Sequence, residues 1–164
     1  MGFRKIFFSI LTIVFGASIV VALFMPLVQL VESSGAGSIE FGLLDSFDEV
    51  NVRFLALNDE FQPAFGRLLS IATIIAVVLY GLFAICFILQ ALNVGINFRP
   101  LLKAIAITML LVGIFIIVCA LIFILSNRVI FNEKIILSFR FGLGIYLAGF
   151  GAFVAGILGI IAQN

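Results

Sequence analysis

Seven of the eight carboxylates in this chain crowd into residues 32–66: Glu32, Glu40, Asp45, Asp48, Glu49, Asp59 and Glu60, with Glu133 alone elsewhere. Carboxylates this close together can trade protons or gather a divalent cation. For a cation they lack the 1-3-5-12 ligand spacing with its central glycine, so the stretch reads as a solvated acidic face. For proton transfer they lack a partner base. The chain has no histidine, which removes the commonest general base and metal ligand. Cys86 and Cys119 each stand alone in an apolar run, where a thiol behaves as a small hydrophobe, and no Cys-x-x-Cys pair exists for quinone-linked thiol oxidation. No catalytic residue, cofactor site or metal site is therefore assigned.

The remaining polar chemistry is sparse. Tyr80 and Tyr146 lie inside apolar runs, so their hydroxyls are expected to find hydrogen-bond partners within a bundle. Thr73, Tyr80 and Gln90 could line a polar seam on one helix, although a threonine in such a helix usually bonds its own backbone.

The elements that hold these residues follow from composition. Of 164 residues, 65% are hydrophobic and 10% charged, with a mean hydropathy of +1.40, far from the roughly quarter-charged make-up of a soluble domain. The charges are also segregated. Residues 6–31, 68–98, 104–127 and 141–164 contain no Asp, Glu, Lys or Arg, giving runs of 26, 31, 24 and 24 positions. A bilayer core needs about 20 apolar residues per helix, so each run is long enough to span once and too short to span twice. Unbroken rather than alternating apolarity favours helices over a barrel. The expected fold is an all-α membrane protein, a single antiparallel bundle of four transmembrane helices over about 6–31, 64–92, 100–126 and 140–162, with a structured outer loop over 32–63. A net charge of +1 without a basic cluster excludes nucleic acid as a partner.

The first run, preceded by Arg4 and Lys5, reads as an uncleaved signal anchor, because it exceeds the usual apolar length of a cleaved signal and lacks a small-x-small site at its end. Pro26 is expected to kink or end that helix. Beyond it, Ile39, Phe41 and Leu43 alternate as in a short strand. Ser46 with Glu49 then makes a capping box, and Phe47, Val50, Phe54, Leu57 and Phe61 share one helical face. That amphipathic helix is the expected partner-facing part of the loop; a hairpin with Val50, Val52 and Phe54 in its second strand is the rival reading. Asn93 to Asn97 is a connection short enough to make the second and third helices antiparallel neighbours. Residues 128–140 suggest a small hairpin pairing 129–131 with 135–137.

Packing signals come from small side chains. Gly144, Ala148, Ala152 and Gly156 recur every four residues in the last run, with Gly151, Ala155 and Gly159 beside them, a pattern that lets helices approach closely in lipid. The stripe is expected to pack within the chain against the third or first helix. On the third helix Ala106, Gly113 and Ala120 repeat every seven residues as the facing seam.

Orientation rests on the first helix. Lysine and arginine counts, four on the N-terminal side of the membrane against five on the other, do not decide it. Arg4 and Lys5, with no basic residue after that helix until Arg53, favour both termini in the cytoplasm. Four helices with a long structured first outer loop and a shorter second one resemble the claudin-like tetraspan arrangement in topology. Gly42-Leu43-Leu44 stands where that family carries Gly-Leu-Trp, and this chain has no tryptophan and no loop cysteine, so the resemblance carries over no functional residue.

Charge-free spans leave no intramembrane ionisable group of the kind proton-coupled transport needs. The expected function is that of a non-catalytic multi-pass protein of the cell membrane, an accessory or scaffold subunit surrounded by the lipid bilayer and associating with a membrane-protein partner or with copies of itself. An oligomeric pore or small-solute carrier is the alternative, since a hydrophobic constriction gates without charges. An integral membrane enzyme ranks behind both.

Overall fold

The computed structural model describes residues 3–32, 38–42, 63–92, 96–126, 130–132 and 135–164. Among them four helices are long and apolar enough to cross a membrane: α1 (Phe3–Val21), α2 (Pro63–Ala91), α3 (Arg99–Ser126) and α4 (Leu143–Gln163). The chain is an integral, multi-pass membrane protein whose spanning part is helical. Pro63 opens α2, where a missing N–H costs nothing. The start of α3 is capped by Asn97, whose Oδ1 accepts the Arg99 N–H at 3.2 Å, satisfying one of the amides a helix leaves free.

The first helix is shorter than its charge-free run. It does not continue to residue 31 but tightens into a 3-10 turn over Ala22–Phe24 and stops at Met25, whose backbone is extended (φ −109°, ψ 149°). The cause is Pro26. Its ring disfavours a helical conformation in the residue before it, and it has no N–H to continue the ladder. An apolar, charge-free sequence is equally suited to a strand, and the continuation Pro26–Glu32 is strand β1.

The segments outside the spans add a sheet that the all-α expectation does not contain. Strands β1, β2 (Ser38–Gly42), β3 (Ile130–Asn132) and β4 (Ile135–Phe141) pair in the order β2-β1-β4-β3. All three pairings are antiparallel. β1 is paired on both sides: Leu30 faces Ile39 of β2 and Phe139 of β4. The β1–β2 register slips between Pro26 and Val28, next to the residue that cannot donate to a ladder. The hairpin near residue 133 forms with Ile130 opposite Leu137, within a residue of the sequence-based pairing. Its second strand runs on to Phe141, so α4 begins at Leu143 rather than near 140. The exit of α1 and the entry of α4, more than a hundred residues apart, are thus joined through adjacent strands. The amphipathic helix expected over 46–61 lies outside the described residues.

The fourth helix is the central one. Half of its span is buried inside the protein, against 28% for α1 and for α2. It contains a π-helical turn over Tyr146–Phe150, where the Gly151 N–H reaches both Leu147 O and Ala148 O. An extra residue in that turn rotates everything after it by roughly one position relative to an unbroken α-helix. The interior is closed by Ile19, Leu69, Phe83, Leu102, Met109 and Ile116, all essentially without exposed surface.

Candidate functional site

The best-defined constellation in the described residues is where α4 meets its neighbours. Gly144, Ala148, Ala152 and Gly156 are all buried, as is Gly113 on α3. A Cβ placed on Gly113 would stand 2.5 Å from the Phe153 backbone nitrogen and 2.9 Å from Gly149 O. One placed on Gly156 would stand 2.6 Å from the Leu110 nitrogen, and one on Gly159 2.7 Å from the Ala106 Cβ. Real Cβ atoms do not approach so closely, so α3 and α4 lie backbone to backbone only because these side chains are absent. The partner numbers fall from 113 through 110 to 106 as α4 is followed from 149 to 159, so the two helices run in opposite directions. Lipid tails are as apolar as leucine, and such close van der Waals contact is what holds helices together in a bilayer.

On α4, Gly156 of the four-residue repeat meets α3 together with Gly149, Phe153 and Gly159. The other flank of α4 faces α1. A Cβ on Gly151 would collide with the Ser18 hydroxyl, which lies 2.6 Å from Phe15 O in its own helix and 3.2 Å from Leu147 O in the π turn. Ser18 therefore shares its proton with a carbonyl of the turn, where the regular ladder is disturbed. Gly16 completes the set: Tyr80 of α2 covers it, at a distance no Cβ would tolerate. Gly16, Ser18 and Tyr80 are invisible to a search for repeats, because each is a single small or polar residue matched to a partner far away in sequence. On α3, Ala106 and Ala120 are buried with Gly113.

The buried hydroxyls mostly serve their own helices. Thr12 donates to Phe8 O at 2.8 Å and Thr73 to Leu69 O at 2.9 Å, so Thr73 does not project into a polar seam. Tyr146 stacks on Phe150 with ring centroids 6.2 Å apart and is half exposed. Cys86 and Cys119 are free and buried. The buried polar atoms without a partner among the described residues are Ser9 Oγ, Ser70 Oγ, Gln90 Oε1 and both amide ends of Gln163. No group of His, Cys, Asp or Glu suited to a metal is found among the described residues. The expected partner-facing positions Phe47, Val50, Phe54, Leu57 and Phe61 lie outside them.

Taken together, the geometry is that of a packing centre: small residues bring backbones into contact, and one hydroxyl bridges α1 to α4. No protein-family model, curated protein or solved structure matches the chain.

Proposed function

We propose that this protein is a non-catalytic accessory or scaffold subunit of the cell membrane, an antiparallel four-helix bundle that associates laterally with a second membrane protein through its outer loop. The observation that carries this reading is the absence of any Asp, Glu, Lys, Arg or His from residues 6–31, 68–98, 104–127 and 141–164, because transport coupled to protons or ions draws on ionisable groups at that depth. The small-residue surface of α4 supports it in a second way. That surface is occupied within the chain, so partner contact falls to the lipid-facing sides of the helices and to the outer segments. Residues 46–61 are the best candidate there, with Phe47, Val50, Phe54, Leu57 and Phe61 turned toward the partner or the top of the bundle. Phe54→Asp is expected to abolish co-extraction of the partner, whereas Asp48→Lys, on the opposite face, leaves it intact. Equal behaviour of the two variants removes the amphipathic-helix assignment.

Both termini lie in the cytoplasm on this reading. An introduced Ser34→Cys should react with a membrane-impermeant maleimide added outside cells, while Gly2→Cys should be spared; the reverse pattern inverts the topology. The alternative, an oligomeric pore or small-solute carrier, draws on Ser9, which is fully buried with its hydroxyl unpartnered. Solute or ion flux through vesicles holding only the purified chain would favour that alternative.

A further inference from the structure

The turn that interrupts α4 is bonded from outside its own helix. Over Tyr146–Phe150 the ladder widens, and the Gly151 N–H is divided between Leu147 O and Ala148 O. Leu147 O thus receives only part of a bond from within α4. Its second donor is Ser18 of α1, whose hydroxyl lies 3.2 Å away and is shared with Phe15 O at 2.6 Å. Gly151 makes the space, since a Cβ there would collide with the Ser18 Oγ. A serine or threonine in such a helix ordinarily bonds the preceding turn of its own helix, as Thr12 and Thr73 do. Ser18 does this and also reaches across to a second helix.

The two halves of α4 are tied to different parts of the fold. Past the turn, Gly156 and Gly159 lie against Leu110 and Ala106 of α3, so this half cannot rotate without driving the two helices apart. Before the turn, only Gly142 separates Leu143 from Phe141, the last residue of β4. β4 pairs with β1, the continuation of α1. An α-helix draws each N–H to the fourth residue back and a π turn to the fifth, so closing the turn rotates one half of α4 against the other by about one residue position. With the later half clamped on α3, the half that enters the sheet has to turn.

We infer that Ser18 and the π turn form a latch that couples the sheet to the bundle. With the hydroxyl seated over Gly151, α4 keeps its wide turn. With the hydroxyl withdrawn, the turn closes to regular α-helix, the ordinary state of such a run, and rotates the Leu143 end together with β4. Coupling of this kind is reciprocal: whatever displaces β1 against β4 draws α1 along α4 and unseats Ser18. Single π turns within α-helices frequently mark functional sites, and this one lies where a strand and a helix are joined by one residue. The inference does not depend on the proposed partner.

The rings of Tyr146 and Phe150 report the state of the turn. They stack with centroids 6.2 Å apart and planes 7° from parallel, whereas residues four apart in an α-helix are offset by about 40° around its axis. Fluorine NMR of the full-length protein in detergent, labelled with fluorotyrosine in a Tyr80→Phe background, gives one signal, from Tyr146. Ser18→Ala removes the donor and should raise a second signal, distinct from that of the denatured chain, by about threefold relative to the first, the effect of one ordinary interhelical hydrogen bond. Gly151→Ala should raise the same second signal from the opposite side, because its methyl displaces only a hydroxyl that is free to rotate. Thr12→Val removes a hydroxyl bonded within α1 and should leave the spectrum as in the parent. An unchanged spectrum in either Ser18→Ala or Gly151→Ala overturns the latch, and so does a second signal that Thr12→Val raises equally.

Discussion

Gly113→Ala is expected to destabilise the purified protein in detergent by about 1–3 kcal/mol, the usual cost of overpacking, or more, while Gly81→Ala leaves it unchanged or stabilises it by up to about 1 kcal/mol. The two substitutions add the same methyl group to helices of the same bundle. At Gly113 the methyl meets backbone, the Phe153 nitrogen at 2.5 Å and its Cα at 2.9 Å, so a helix rather than a side chain must move. At Gly81 nothing lies within 4 Å, and the substitution removes only the conformational freedom of glycine in the unfolded chain. Ala152→Leu, at a position with no exposed surface, should behave like Gly113→Ala. Thermal unfolding of the three variants side by side reads all of this. A destabilised Gly81→Ala with a silent Gly113→Ala would mean that α3 and α4 do not meet as described.

A cysteine pair replacing Leu30 and Phe139, in a Cys86→Ala/Cys119→Ala background, should close into a disulfide and stabilise the protein by up to about 4–5 kcal/mol, the chain-entropy value for a loop of roughly a hundred residues. These two positions are directly opposed in the β1–β4 ladder. Opposed residues in an antiparallel pair have Cα atoms about 4.5–5.5 Å apart, inside the range a disulfide bridges. Moving one partner by a single residue, to Leu30 with Ser138, puts the side chains on opposite faces of the sheet and should prevent closure. Non-reducing electrophoresis after mild oxidation distinguishes the two. Efficient closure of the shifted pair, with the opposed pair remaining open, would show that the strands are out of register.

These two experiments probe parts of the fold that were unequally legible in the sequence. Span number was readable because desolvating a charge in lipid is so unfavourable that charge-free runs delimit the helices almost alone. Where α1 ends was not readable from charge. Residues 26–31 are as apolar as the helix before them, and only the backbone chemistry of Pro26 separates the two. The pairing of β1 with β4 was hidden because it is a contact across more than a hundred residues, while periodicity reports only local structure. The packing site was legible in composition more fully than in phase. Glycine and alanine on the last helix marked a close approach, and Gly156 meets α3 together with Gly149 and Gly159, which lie off the four-residue repeat. Gly16 and Ser18 left no pattern to find, since their meaning lies in Tyr80, Gly151 and Leu147.

Lateral association is the central functional claim, and native mass spectrometry of the protein extracted in mild detergent from the membranes that make it tests it most directly. The expected result is a complex in which this chain and a different membrane polypeptide occur in fixed ratio. Recovery of the chain only as a monomer, or only as a ring of its own copies, would contradict the accessory-subunit reading, and the ring would point instead to the pore.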